Sequence, residues 1–369
     1  MAYTTINKSS DYFNTKLYTG NGATSSAGTL ARTITGVGFQ PDFTWVKERT
    51  SVSGGYTSHS LHDAVRTAPM TVESNSTSAE QNVTTQYGNG GIGSFTSDGF
   101  GIYSGTGGNS NNFNVNSGNY VTWNWLANGQ GSSNTDGSIN TTYTSVNTTA
   151  GFSISKFTGT GANATVGHGL GAVPKMIIVK NLIDTEPWVV YHAGIDATAP
   201  QDYHLRLNTT DARVNEAEVW NDTAPTSSVF SLGSSGAPNG SGDATIAYCF
   251  AEKTGYSKFG SYTGNGSADG TFVYTGFKPA FVMVKNVNSG VQGWLMFDDE
   301  RPSYNVRDKF IVANLNQAEA TSSNHSMDLL SNGFKIRGND GGVNGSGNTL
   351  IFMAFAEEPL IGDNPATAK

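Results

Sequence analysis

The 369-residue sequence has one cysteine, few charged side chains and no long hydrophobic run. The single Cys249 excludes a disulfide framework within the chain, and without an accompanying His or Asn pattern it indicates a small buried hydrophobe. No apolar stretch approaches the roughly 20 residues needed to cross a bilayer, and the first residues lack the layout of a secretory signal. The sequence therefore predicts no membrane insertion and no signal peptide.

Charge is scarce as well: Asp, Glu, Lys and Arg make up 14% of the residues, and the net charge is −8. Charged residues usually approach a quarter of a soluble domain, so neutral hydroxyl and amide side chains must cover this surface. A negative chain with scattered Lys and Arg is unsuited to neutralising phosphates, which argues against nucleic acid as a partner. The 46 glycines favour short strands joined by many turns.

One stretch of the sequence occurs three times. Each copy starts with an aromatic residue and a Gly-rich turn, and glycine accepts the positive φ of such a turn at low cost. Each then continues into a strand that a proline opens, where the missing N–H is tolerated. Apolar residues on both faces predict that this strand is buried on both sides. The turns are Tyr18–Gly22, Phe157–Gly161 and Tyr262–Gly266, and the prolines are Pro41, Pro174 and Pro279.

A second repeated strand closes each copy with large apolar residues at alternate positions, the pattern of a strand with one core face. These residues are Val121, Trp123 and Trp125, then Ile246, Tyr248 and Phe250, then Ile351, Met353 and Phe355. The sequence predicts an all-β fold of three tandem β-sandwich repeats with an N-terminal arm. The sandwiches are jelly-roll or lectin-like, and we expect no helix longer than about three turns because no window keeps a helical apolar period.

The repeats set the expected domain boundaries. These are an N-terminal arm at 1–12, a first repeat at 13–127, a Gly/Ser linker at 128–136, a second repeat at 137–252, a third repeat at 253–358 and a C-terminal tail at 359–369. The linker composition predicts flexibility. The arm offers Tyr3, Ile6, Tyr12 and Phe13 as apolar anchors spaced for an extended strand, so we expect it to attach to another protein. The alternative is a leader with no role.

Two acid and arginine pairs share the spacing Asp-x-x-Arg: Asp63 with Arg66, and Asp298 with Arg301. A carboxylate cluster of this kind suits a glycosidase or a calcium site. The middle repeat, however, has His192 where the acid is expected, so we favour structural pairs that pin a loop to a sheet end. No histidine pair has zinc spacing. We therefore predict no catalytic residue, no metal and no cofactor.

Four aromatic residues lie in the less strand-like parts of the middle repeat: Trp188, Tyr191, Tyr203 and Trp220. Exposed aromatic rings commonly stack on sugars, which makes these residues candidates for a glycan-binding site. The alternative is that they anchor loops beneath a sandwich.

Several motifs together resemble repeats in virion structural proteins of marine tailed bacteriophages. They are YTGNG, GFKPAFVMVKN, SNGFKIR, and NGSG before a strand that ends in AFAE. The opening MAYTTINKSSDYFNTKLYTGNG also resembles the start of such proteins. The resemblance covers nearly the whole chain and implies a β-sandwich component exposed on the phage particle.

The function expected from this resemblance is that of a non-enzymatic structural protein on the virion surface, made in the host cytoplasm. A tail-fibre or appendage subunit that contacts the host surface is favoured. The alternatives are a capsid decoration protein and a glycan-cleaving depolymerase. The expected partners are other virion proteins and a host surface glycan.

We also expect a homotrimer. Strands that are apolar on both faces leave more apolar surface than modules of roughly 110 residues can bury alone, because small domains bury a lower fraction of their surface. Closed rotational symmetry would cover that surface. Three-fold packing is favoured because phage fibres of the class that the chain resembles are commonly trimeric.

Overall fold

A computed structural model describes residues 4–52, 58–302 and 304–359. Strands account for 41% of the chain and helices for 7%. Among the described residues no helix exceeds four residues. The all-β prediction and the predicted lack of long helices are therefore confirmed.

The first repeat folds into a large sheet of strand order β1-β9-β3-β4 and a small sheet of order β2-β8-β7, with a short β5-β6 pair beside them. Its elements are β1 (Phe13–Thr19), β2 (Leu30–Thr35), β3 (Phe43–Glu48), β4 (Ser60–Asp63), β5 (Met70–Thr71), β6 (Gln81–Asn82), β7 (Gly91–Thr96), β8 (Gly99–Tyr103), α1 (Asn111–Asn114) and β9 (Asn119–Trp125).

The second repeat has a large sheet of order β10-β11-β18-β13-β14-β15-β16 and a small β12-β17 sheet. Its elements are β10 (Tyr143–Asn147), β11 (Phe152–Thr158), β12 (Ala164–Gly167), β13 (Met176–Asn181), β14 (Val189–His192), β15 (Tyr203–Arg206), β16 (Val214–Asn215), α2 (Ala217–Trp220), β17 (Val229–Leu232), α3 (Gly236–Asn239) and β18 (Ala244–Phe250).

The third repeat has a large sheet of order β19-β27-β21-β22-β23-β24 and a small sheet of order β20-β26-β25. Its elements are β19 (Ser257–Thr263), β20 (Phe272–Tyr274), β21 (Phe277–Asn286), β22 (Leu295–Asp298), β23 (Lys309–Val312), β24 (Ala320–Thr321), β25 (Met327–Leu330), β26 (Gly333–Ile336), α4 (Gly341–Asn344) and β27 (Thr349–Pro359). In the described part of the chain, 3₁₀ helices lie outside these elements at Ser9–Asp11, Pro200–Asp202 and Ser323–His325.

The Gly-rich turn of each repeat is held by a buried asparagine at the end of a short helix. In the first repeat the Asn114 side chain accepts the backbone N–H of Asn21 and donates to the carbonyl of Ala23. Asn239 and Asn344 bond the corresponding turns in the same way. Glycine is required at the start of the turn, since a Cβ at Gly20 would overlap the carbonyl oxygen of Val115.

Each large sheet uses one face for its own sandwich. Three separate apolar clusters fill the spaces between the large and small sheets, one in each repeat. The repeated strands β3, β13 and β21 have a paired strand on both sides, as the sequence predicts for strands in the middle of a sheet.

The other faces of the three large sheets meet in one shared core. At its centre lie Trp125, Phe250 and Phe355, the last aromatic residues of the three closing strands. Their ring centroids form a closed triangle with sides of 6.5, 6.1 and 5.6 Å. The three repeats therefore surround a common centre, and the two-faced strands have both faces covered within one chain.

This arrangement changes the basis of the predicted homotrimer. The expectation assumed an apolar face that only neighbouring chains would cover, but residues on that face, such as Phe43, Ile178 and Met283, are buried against the other repeats. A homotrimer stays a prediction, and it would have to form through a different surface.

The arm is not extended over the residues that the structure describes. Ile6 is 1% exposed in the shared core, and Phe13 belongs to β1, where its ring lies 5.0 Å from that of Phe355. Tyr12 is half-buried beside Tyr256. Tyr3 lies outside the described residues, as do residues 360–369 of the tail. Ile6 and Phe13 are thus core residues, because the arm carries apolar side chains that the shared core can bury.

The predicted linker is also packed against the body of the protein, which corrects the expected flexibility. The Asp42 carboxylate accepts the backbone N–H groups of Ala127 and Gly129. Further along, the Asn134 side chain lies against Gly167 of the second repeat, and Ile139 forms a parallel bridge to Val166. Hydrogen bonds to neighbouring strands therefore hold a segment whose composition alone predicts mobility.

Candidate functional site

The Asp63–Arg66 pair lies at the junction between the first and second repeats. The Asp63 carboxylate accepts the backbone N–H of Arg66 at 2.8 Å and its Nε at 2.5 Å. It also accepts the hydroxyl of Tyr248, from β18 of the second repeat, at 2.8 Å. Both charged side chains are fully buried, so the pair ties a loop to the neighbouring repeat and offers no carboxylate to solvent.

The Asp298–Arg301 pair makes the same contacts at the junction between the third and first repeats. The Asp298 carboxylate accepts the backbone N–H and Nε of Arg301, at 2.9 and 2.6 Å. It accepts the indole N–H of Trp123, from the first repeat, at 3.0 Å. A buried carboxylate with all of these donors cannot reach a polysaccharide, so the depolymerase hypothesis loses the acid on which it relied.

His192 completes the set at the junction between the second and third repeats. Strand pairing places it opposite Met176, as Asp63 is opposite Phe43 and Asp298 opposite Phe281. Its Nδ1 accepts the N–H of Gly194, so its Nε2 donates to the carbonyl of Phe352 at 3.0 Å. Burial lowers the pKa of His192 to about 4. At this junction a neutral imidazole therefore occupies the position that a carboxylate has at the other two.

A second set of contacts runs around the ring of repeats. The residue directly before β4, β14 or β22 donates a ring N–H to a backbone carbonyl of another repeat. Trp188 donates to Glu73 at 2.9 Å and Trp294 to Arg206 at 3.0 Å. The third donor is His59, whose Nδ1 accepts from Trp45, so that its Nε2 donates to Val312 at 3.1 Å.

A third set consists of backbone hydrogen bonds alone. The N–H of Glu80 donates to the carbonyl of Leu182, that of Arg213 to Val287, and that of Glu319 to Arg49. Each donor directly precedes β6, β16 or β24, and each acceptor directly follows β13, β21 or β3 of the next repeat in the ring. Equivalent atoms thus close the ring at all three junctions.

Side-chain ion pairs reinforce these backbone contacts. Arg66 donates to Glu80, and Arg49 makes a two-pronged contact with Glu319. The middle repeat has the opposite polarity at this position, because Arg213 takes the place of the acid and pairs with Asp196 at 2.8 Å. Sequence reasoning missed these junctions since most acceptors are backbone atoms.

The four aromatic residues predicted as glycan ligands do not form an exposed site. Trp188, Tyr191 and Trp220 are at most 4% exposed, and Trp188 belongs to the shared core. Tyr203 is half-buried, with the guanidinium of Arg213 4.5 Å above its ring. The alternative interpretation, that these residues anchor loops, describes their contacts.

The last residue but one of each repeated strand is a buried lysine: Lys47, Lys180 and Lys285. Their ammonium groups donate to backbone carbonyls, such as Lys285 to Thr210 at 2.8 Å and to Gln292 at 2.5 Å. Burial lowers the pKa of each to about 8. An unfolded lysine titrates near 10.4, so from pH 8 to 10 the unfolded chain binds more protons than the folded chain.

We therefore expect the free energy of unfolding to rise with pH between 8 and 9.5. Each lysine adds a slope of up to about 1.4 kcal/mol per pH unit. The Lys285→Met variant should have a shallower slope than the native chain, and subtracting the two curves cancels the titration of all other groups. Urea unfolding at half-unit pH steps measures both slopes. Equal slopes in the two proteins would contradict the assigned pKa.

An acidic cavity of about 220 Å³ lies between the first and third repeats. Asp299, Glu300, Glu357 and Glu358 line it. Burial and the neighbouring carboxylates, Glu357 first, raise the pKa of Asp299 well above its usual range. No group of three or more His, Cys, Asp or Glu side chains in the described ranges is arranged to hold a metal ion.

Cys249 is a buried free thiol, in line with its predicted role as a small hydrophobe. Burial raises its pKa above the ordinary range, which suppresses the reactive thiolate. No helix in the described ranges is long and apolar enough to span a membrane.

The fold and its junctions define a class of protein: a single chain in which three β-sandwich repeats close into a ring around a shared aromatic core. The chain belongs to the family described as a domain of unknown function, DUF7483, whose profile matches residues 8–359. The family profile spans all three repeats as one unit. Comparison with curated proteins and with solved structures found no significant match.

Proposed function

We propose that this chain is a non-enzymatic structural protein on the exterior of a tailed bacteriophage virion, as a tail-fibre or appendage subunit that contacts the host surface. The proposal rests on the position of the acidic and histidine side chains that could carry out catalysis. Asp63, Asp298, His59 and His192 are all buried in contacts between repeats. Groups held in contacts between repeats support a structural role over a catalytic one, and the resemblance to phage virion proteins supports the virion surface as the location.

The structure adds a physical reason for such a role. The shared core and the three sandwich cores bury apolar side chains from every repeat. Closely packed β modules open rarely, so proteases outside the cell find few unfolded segments to cut. Neutral polar loops remain on the surface, where they suit contact with glycans.

A capsid decoration protein is the second candidate, and the ring of repeats favours it. Three similar repeats around one centre present three similar sets of loops at each end. Such an end is suited to three related coat subunits that meet at one point of a lattice.

Localisation in the particle tests the proposal. Gold-labelled antibodies against the purified chain should bind intact virions along the tail appendages, and cryo-electron microscopy should show density of this shape there. Labelling confined to the head would favour the capsid candidate. A chain that is absent from purified virions would overturn both.

A further inference from the structure

Two exposed aromatic rings lie side by side on the outer face of the small sheet in the third repeat. Phe272 and Tyr274 are 43% and 55% exposed, whereas Val273 between them points into the sandwich core. Residues two apart on a strand lie on one face at about 7 Å. The two rings therefore form a platform on β20, the edge strand of the sheet.

The first repeat provides a control for this platform within the same chain. In β2, Ile34 pairs with Phe100 as Val273 pairs with Phe334, so Thr33 and Thr35 are the counterparts of Phe272 and Tyr274. Both threonines are exposed on the outer face of their sheet. The fold thus tolerates small hydroxyl residues at these positions and does not require aromatic ones.

In the second repeat the equivalent positions also have small residues, but there they are covered. Thr165 and Gly167 occupy the equivalent positions on β12. The segment before β10 covers them, because Ser138 bonds to Thr165 and Asn134 lies against Gly167. Among the residues that the structure describes, exposed aromatic rings on a small sheet occur in the third repeat alone.

Paired charges flank the platform. Lys335 lies opposite Phe272 in the sheet and contacts Asp269 at 2.8 Å, while Asp328 lies opposite Lys335 and accepts from Arg337 at 2.5 Å. The equivalent residues in the first repeat are Gly101 and Ser94. Beyond these pairs is a cavity of about 400 Å³, lined by Val306, Asp308, Ser323, Ser326, Asp328 and Arg337.

We propose that this face binds a carbohydrate chain. Sugar rings present C–H groups that pack on the aromatic faces, and their hydroxyls can bond both to carboxylates and to guanidinium or ammonium groups. Because Lys335 and Arg337 are each paired with an acid, the face has no surplus positive charge for a nucleic acid. Two rings also fall well short of the roughly 800 Å² per partner of a stable protein interface.

This inference rests on the proposed function and assigns the contact with the host to the face that carries Phe272 and Tyr274. The test uses the full chain and a printed array of bacterial surface oligosaccharides, including O-antigen, capsule and core fragments. The variant F272T/Y274T carries the residues of the first repeat. We expect the native chain to bind at least one glycan. The variant should bind that glycan with an affinity at least about tenfold lower. The melting temperature should be unchanged.

A matched control is Ile183→Ser, which removes an apolar side chain that is 57% exposed on a loop of the second repeat. This variant should bind as the native chain does. The proposal is overturned if the native chain binds no glycan on the array or if F272T/Y274T binds normally. A chain found in virions without glycan binding refutes only this inference, and a glycan-binding chain absent from virions refutes only the virion proposal.

Discussion

The Phe250→Ala variant is expected to lose about 3–5 kcal/mol of unfolding free energy, the cost of truncating a fully packed aromatic core residue. The Phe250 ring packs within its own repeat on Phe152, with centroids 4.8 Å apart. It also meets Trp125 of the first repeat and Phe355 of the third. A cavity at this centre cannot collapse easily, because three sheets would have to shift together.

Urea unfolding followed by tryptophan fluorescence measures this loss. Phe272→Ala is the matched control, since it makes the same change at an exposed ring and should alter stability by less than about 0.5 kcal/mol. If Phe250→Ala proved as mild as the control, the three repeats would not share a core.

The Arg66→Ala variant has the second large effect, an expected loss of about 3–5 kcal/mol. The change leaves the Asp63 carboxylate buried without its cation and removes a bond to the carbonyl of Leu61. It also weakens the junction to the second repeat, where the Tyr248 hydroxyl shares the same carboxylate. Thermal and urea unfolding should both show the loss.

Arg206→Ala is the matched control for this ion pair. Arg206 and Asp211 are 38% and 47% exposed in their side chains and 3.6 Å apart, so we expect a change of less than about 1 kcal/mol. The double variant Asp63→Asn/Arg66→Met should recover part of the loss because it leaves no buried charge. If the double variant recovered no stability, or if Arg66→Ala and Arg206→Ala lost equal unfolding free energy, the buried pair would not stabilise the junction between the first and second repeats.

The architecture within each repeat could be predicted from sequence because its signals are local. Alternating residues such as Trp123 and Trp125 show a strand with a core face, and the proline-opened strands show burial on both sides. What the pattern could not tell is which surface covers the second face. A neighbouring chain and a neighbouring repeat produce the same apolar pattern, so a homotrimer was the natural expectation.

The junctions were hidden for a different reason. His59, Trp188 and Trp294 each donate a ring N–H to another repeat, although their side chains differ. Their acceptors are backbone carbonyls, which the sequence does not identify. Trp188, which the sequence offers either as a glycan ligand or as a loop anchor, is a buried donor. The sequence does not single out Phe272 and Tyr274, because a short alternating strand does not reveal which face remains uncovered.

Hydrogen exchange measured by mass spectrometry across a urea series tests most directly whether the three repeats form one structural unit. Peptides from β9, β18 and β27 report on the three closing strands that meet at the centre. A shared core predicts that all three lose protection in one transition, at the same urea concentration and with the same opening free energy. Three separate transitions, one for each repeat, would show that the repeats fold independently and would contradict the ring.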